Sequence, residues 1–206
     1  MILSKRPYQH EHDEQLMVLV GQHNQRAFEE LYGRYGKLMY NYFLRMLWKE
    51  KEKARDFTQE LFTKVYQKPH LYDPARPFKT WLYSIAHNMC KNEYAKVEVR
   101  KEAQQALKVE AKGITSPVAQ KDMDRKSFMQ QLASVLSQLD EVKRETFELR
   151  FVQEMSIMEI AEIMSVSEGT VKSRLFYLLK DLNGKLKAFE GIAVWMACLF
   201  TMGGLL

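Results

Sequence analysis

Between residues 28 and 46 the chain sets Phe28, Leu31, Tyr32, Tyr35, Leu38, Tyr42, Phe43 and Met46 at steps of mostly three and four, an apolar stripe about five turns long. Only a helix gathers such positions on one face, and a stripe of that length needs several partners to cover it. Spacing of this kind recurs along the chain, strand-like alternation is missing, and only 9 Gly and 5 Pro interrupt 206 residues. The expectation is an all-α protein. With 46% apolar residues it can bury a core, which excludes a disordered, collagen-like or linker-dominated chain.

A second helix is expected over about Glu50 to Tyr66. Lys68-Pro69 and Asp73-Pro74-Ala75-Arg76-Pro77 then break the chain, and Pro77 suits the first position of a third helix running to about Lys96. Residues 97–127, rich in Lys, Glu, Gln and Ala and containing Gly113 and Thr115-Ser116-Pro117, read as a flexible, partly helical linker. Leu132, Val135, Leu136 and Leu139 open a second unit, followed by short helices over Asp140 to Phe151, Ser156 to Met164 and Glu168 to about Leu182. The expected architecture is two small helical domains, 10–96 and 128–190, joined by a flexible linker, with an apolar tail over 191–206.

The second domain carries a helix-turn-helix spacing. Ile160, Ala161 and Met164 face inward, Ser165-Val166-Ser167 makes the turn, and Ser167 can cap the next helix. Val171, Leu175, Leu178 and Leu182 form the buried stripe of that helix, opposite Gly169, Thr170, Ser173, Phe176, Tyr177 and Lys180, with Lys172 and Arg174 on the flanks. Small polar residues near a helix start can reach base edges in a major groove while flanking cations pair with phosphates. Glu148, Glu154, Glu159 and Glu162 lie outside this helix and would leave its basic face directional. A plain αα-hairpin has the same spacing and stays open at this point.

In the first domain, Ala54, Phe57, Leu61 and Val65 define the core side of the second helix. Asp56, Gln59, Phe62, Thr63 and Tyr66 then point elsewhere, an aromatic and carboxylate surface that suits a protein partner. The competing reading packs Phe62 and Tyr66 under a neighbouring helix. On the third helix Phe78, Leu82, Ile85 and Met89 form the expected buried stripe, with Trp81 and Ala86 at its edges. Thr80, Tyr83, His87, Lys91 and Tyr94 then alternate rings with polar or cationic groups, the chemistry that captures a single strand. An amphipathic helix snorkelling its Tyr and Lys gives the same pattern.

Several residue strings carry a family resemblance. The stretch "FELRFVQEMSIMEIAEIMSVSEGTVKSRLFYLLKDL" resembles region 4 of extracytoplasmic function sigma factors, the subunits that direct bacterial RNA polymerase to promoters. "AFEELYGRYGKLMYNYFLRML" is similar to the long first helix of region 2, and "ARDFTQELFTKVY" to its core-polymerase binding motif. "RPFKTWLYSIAHNMCKNEYAK" resembles the promoter-melting and minus-ten segments, with Phe78, Trp81, Leu82, Ile85, Ala86 and Asn88 matching the pattern. Where the family usually has Asp followed three residues later by Arg, this chain has Asn92 and Ala95. Ser165 stands for the common turn glycine, and Tyr177 and Leu179 for frequent arginines.

The resemblance implies an alternative sigma factor, and with it a set of partners and contacts. Core RNA polymerase is held through its clamp and flap surfaces, the clamp by Asp56, Gln59, Glu60 and Phe62. Promoter DNA is contacted by Thr80, Trp81, Tyr83, His87, Asn88 and Lys91 in the first domain, and by Ser167, Thr170, Lys172, Ser173, Arg174 and Tyr177 in the second. An anti-sigma factor is a further expected partner. A conventional helix-turn-helix regulator, with the first domain dimerising or sensing, is the rival; a membrane-attached adaptor built around the tail is a third reading.

Charge distribution agrees with nucleic-acid contact. The net charge of +5 divides into +5 for residues 1–96, +2 for 97–136 and −2 for 137–206. No phosphate-binding Gly loop, nucleophile elbow or paired catalytic carboxylate occurs, so neither catalysis nor a cofactor is expected. His10, Glu11 and His12 are read as solvated rather than as metal ligands. Cys90 and Cys198 form no C-x-x-C, and Lys5 and Arg6 lead into polar residues rather than an apolar signal segment, so the expected location is the cytoplasm. The 16 uncharged residues of "GIAVWMACLFTMGGLL" would span about 24 Å as a helix, short of a bilayer core of about 30 Å. Packing on protein, or a contact at the inner face of the membrane made by the tail or an anti-sigma partner, both remain open.

Overall fold

The computed structural model describes residues 8–105 and 134–185, all of whose regular structure is helical. The expected linker beyond residue 105 and the apolar tail 191–206 lie outside the described residues. In chain order the helices are α1 (Asp13–Gly21), α2 (Gln25–Met46), α3 (Lys51–Gln67), α4 (Phe78–Gln105), α5 (Glu141–Phe147), α6 (Ile157–Met164) and α7 (Glu168–Lys185). A 3-10 turn, Pro69–Leu71, follows α3, and a π-helical turn, Glu148–Val152, continues α5. Among the described residues, packing gathers 8–93 with 158–166 into one compact unit and 94–105 and 134–157 with 167–185 into another.

In the first unit α2 is central. The Asn24 side chain caps it, accepting from the Ala27 amide at 3.1 Å while donating to the Tyr8 hydroxyl at 2.8 Å. Its buried face is Ala27, Leu31, Tyr35, Gly36, Met39, Tyr42, Phe43 and Met46. Tyr32 and Leu38, expected inside, are exposed, because Ala27, Gly36 and Met39 complete the buried arc that hydropathy alone assigned to larger side chains. Trp48 and Lys49 take positive φ values of 52° and 65° to turn the chain, with the Lys49 amide donating to the Leu44 carbonyl at 2.9 Å.

Helix α1 does not stand out in the sequence, since Leu16 to Val20 is an unbroken apolar run without helical periodicity. It is fastened to α2 by Arg34, which pairs with Asp13 at 2.6 Å and donates to the carbonyls of Tyr8, Gln9 and Glu11 at 2.9, 3.1 and 2.8 Å. The Tyr35 hydroxyl also donates to Asp13, and burial with that carboxylate raises the phenol well above its ordinary range. His10, Glu11 and His12 are exposed.

Helix α4 starts directly after Pro77, whose carbonyl accepts from the Trp81 amide at 3.2 Å. It runs past Lys96 to Gln105, farther than expected, because Glu98, Arg100, Lys101, Glu102 and Ala103 favour helix and no Gly or Pro intervenes.

In the second unit, Asp140 caps α5 by accepting from the Lys143 amide at 2.7 Å. Lys143 reaches Asp181 of α7 at 2.6 Å; that hydrogen bond raises the Lys143 pKa and holds the Asp181 carboxyl below its usual range. Glu148 is buried and accepts from Gln153 at 2.8 Å, so it is not one of the surface acids around α7.

The turn between α6 and α7 places Ser165 at a φ of 53°, in the left-handed region where a side chain is strained. The Val166 amide donates to Ala161 and the Ser165 amide to Glu162, so the glycine-type turn is kept without the glycine. Ser165→Gly is therefore expected to raise stability by about 0.5–1 kcal/mol, the relieved strain outweighing the extra chain entropy. Denaturant midpoints of the two proteins check this.

Candidate nucleic-acid and polymerase interfaces

Helix α7 presents its polar side as expected. Val171, Leu175, Leu178 and Leu182 are buried, while Ser167, Lys172, Ser173 and Tyr177 are exposed and Thr170 and Arg174 half-buried. The Ser167 hydroxyl accepts from the Thr170 amide at 3.1 Å and lies 2.9 Å from the Thr170 hydroxyl, so the cap also fixes that side chain. Phe176 and Tyr177 stand 58% and 56% exposed with their rings 5.4 Å apart. Lys172 has only a loose partner in Glu168, 3.9 Å away and equally exposed, which a phosphate can displace at little cost.

Helix α4 differs from its expected setting. Tyr83 is fully buried, its ring edge-on to Tyr42 at 5.3 Å, and Thr80 and His87 are buried with it. These three do not form an exposed ring-and-cation face. The buried arc is centred on Ala86, Cys90 and Glu93 rather than on Leu82 and Met89, a rotation of roughly 80°, less than one residue's turn. Strongly apolar Ile85 biased the expected stripe, whereas it is half-exposed. Tyr, His and Thr carry apolar bodies that hydropathy discounts.

The exposed arc of α4 comprises Trp81, Ser84 and Ile85, half-buried, with Asn88, Lys91, Asn92 and Ala95 exposed. Of the expected DNA-contacting residues in the first unit, the structure brings Trp81, Asn88 and Lys91 together here. Ser84, Ile85, Asn92 and Ala95 join them; the family pattern that already included Ile85 and the Asn92 and Ala95 positions was the signal for this face.

On α3, Asp56, Gln59 and Glu60 are exposed, Glu60 pairing with Lys64 at 2.6 Å. Phe62 is only 2% exposed, its ring 4.8 Å from Tyr32 and 6.3 Å from Phe28, so it packs under α2 rather than offering itself to a partner. Its neighbour Tyr66 stays 42% exposed. An open groove of about 980 Å³ between α2 and α3 has Phe28, Tyr32, Tyr40, Phe62 and Tyr66 as its aromatic lining, with Gln59 and Lys37 beside them. Gln59 and Phe62 meet in this groove; Asp56 and Glu60 lie outside its lining. Phe62 lies off the stripe of Ala54, Leu61 and Val65 yet is covered by the Phe28 and Tyr32 rings of α2, a contact that the periodicity of α3 alone does not show.

These features define an all-α helix-turn-helix protein. Residues 31–100 match the family model for Sigma-70 region 2, and residues 129–182 that for Sigma-70, region 4. The ECF RNA polymerase sigma factor SigW of Bacillus subtilis is 30% identical over 174 residues, covering 80% of this chain and 91% of that protein. Two solved structures share the fold. One is CnrH in complex with the cytosolic domain of CnrY, with a TM-score of 0.62, 24% identity and coverage of 86% and 98%. The other is the sigma factor RpoE in complex with the anti-sigma factor NepR from Bartonella quintana, with a TM-score of 0.59, 22% identity and coverage of 79% and 98%. The chain belongs to the extracytoplasmic function family of RNA polymerase sigma factors.

The rotational setting of α4 separates core from contact residues. Tyr83→Ala is expected to cost about 3–5 kcal/mol through the cavity it leaves, whereas Asn88→Ala should stay within about 0.5 kcal/mol. Thermal unfolding of the two variants reads the difference.

Proposed function

We propose that this protein is an alternative sigma factor: it binds core RNA polymerase, recognises promoter DNA and directs initiation, without a catalytic step of its own. The observation that carries the reading is the presence of both region 2 and region 4 in one chain, in family order, with SigW similarity across most of its length.

Asp56 and Gln59 on the exposed side of α3, with Glu60, make the contact to the polymerase clamp; Phe62 supports them by seating α3 on α2. A patch that keeps polar groups exposed beside the aromatic groove matches a hot spot ringed by polar residues. The exposed arc of α4 takes the melted minus-ten strand: Trp81 offers a stacking face, Asn88 and Asn92 offer amide donors and acceptors, and Lys91 follows the phosphates. In the upstream duplex Thr170 and Ser173 approach base edges near the start of α7 while Lys172 and Arg174 pair with phosphates. Ser167 acts as the cap that holds Thr170, and Tyr177 contacts the groove one turn farther along.

RpoE was solved with an anti-sigma factor, and we extend that kind of partner to this chain. No helix among the described residues is long and apolar enough to cross a membrane. A hold at the membrane through an anti-sigma partner or through residues 191–206 is part of this proposal.

Reconstitution with core polymerase tests the reading. The wild type should bind core and yield promoter-specific transcripts. Asp56→Ala with Gln59→Ala should weaken core binding by about tenfold or more while leaving duplex DNA binding unchanged. A protein that binds duplex DNA but neither binds core nor supports a transcript is a conventional regulator instead.

A further inference from the structure

The first amide of a helix has no acceptor within the helix and needs one from outside. For α4 that acceptor comes from another element: the Phe78 amide donates to the Glu14 carboxylate of α1 at 3.0 Å. A carboxylate at this end also interacts favourably with the helix dipole. Glu14 is not free to drift, because its neighbour Asp13 is tied to Arg34 and Tyr35 of α2.

The same first turn is gripped by rings. Phe78 is fully buried, 5.3 Å from Tyr35, 5.9 Å from Tyr72 and 5.9 Å from Trp81, while Tyr72 and Trp81 lie 5.1 Å apart. The Tyr72 hydroxyl donates to the Arg76 carbonyl at 2.6 Å and closes the loop that leads into α4. Burial, with Glu14 among the nearby charges, pushes the Tyr72 phenol up to about 12, consistent with a hydroxyl that stays a donor. Glu14, the 72–77 loop and Trp81 thus form one connected assembly. The region 2 match starts at residue 31, so the placement of Glu14 rests on this geometry and not on the family pattern.

We propose that Glu14 is a positioning residue for promoter opening: from α1 it caps α4 and presets Trp81 and the exposed arc before DNA arrives. The proposal rests on the sigma-factor reading above. If the first turn of α4 must order itself as strands separate, that cost adds to the unstacking of bases and appears where opening limits initiation. On a template already melted over the minus-ten region, saturating binding hides it.

The test is abortive initiation by the full-length protein with core polymerase, on duplex and on pre-melted versions of one promoter, alongside core binding. For Glu14→Ala the expected result is a loss of about fivefold on duplex, the size of one lost cap. Activity on the pre-melted template and core affinity should stay within about twofold of wild type. Glu14→Gln keeps the acceptor oxygen and should restore duplex activity to within about twofold. Equal losses on both templates, without rescue by Gln, mean a purely structural residue and overturn the proposal. So does full duplex activity in Glu14→Ala beside an active wild type. A wild type that makes no transcript on either template overturns the sigma-factor reading and the proposal together.

Discussion

The burial of Tyr83 against Tyr42 sets which side of α4 meets solvent, and the first unit's chemistry depends on it. Two phenol rings edge-on at 5.3 Å, both fully buried, hold the helix at one rotation about its axis. Turning α4 by one residue in the direction that exposes Tyr83 would bury Asn92, and the opposite turn would bury Lys91, so either exchanges favourable burial for a desolvated amide or charge. The exposed arc is thus a consequence of core packing. Its stacking ring, amides and cation are what the core leaves outside.

Polar groups fix the ends of elements while rings fix their rotation. Arg34 gathers the carbonyls before α1 and the Asp13 carboxylate into one donor fan, so a short helix without strong periodicity docks at a defined place. In the second unit Asp140, Ser167 and the Lys143–Asp181 pair do similar work for α5 and α7. Lys143 and Asp181 are surface groups, and their hydrogen bond orders two helices more than it stabilises them.

How far the sequence could be read follows from these interactions. The buried stripe of α7 was legible because Val171, Leu175, Leu178 and Leu182 are unambiguous apolar residues at strict spacing, and its polar face followed by exclusion. The turn at Ser165 was legible as a turn, although only the backbone shows that serine accepts the left-handed conformation there. The α4 face was not, since Thr80, Tyr83 and His87 have polar tips that suit either side, and the choice lay with Tyr42 on another helix. Phe62 shows the same limit: its fate depends on Phe28 and Tyr32, about thirty residues earlier in the chain. The excess positive charge of residues 1–96 was visible from the outset, but only the fold shows that Lys91 is on the exposed side of α4.

Core packing leaves Trp81, Asn88 and Asn92 on the outer side of α4 and buries His87, and the proposed contact with promoter DNA rests on that division. A photocrosslinking amino acid placed singly at positions 81, 87, 88 and 92, in initiation complexes with core polymerase and end-labelled promoter, tests this directly. Crosslinks to the minus-ten strand from 81, 88 and 92, with none from 87, are the expected result. Crosslinks from 87 with silence at 88 and 92 would contradict the account.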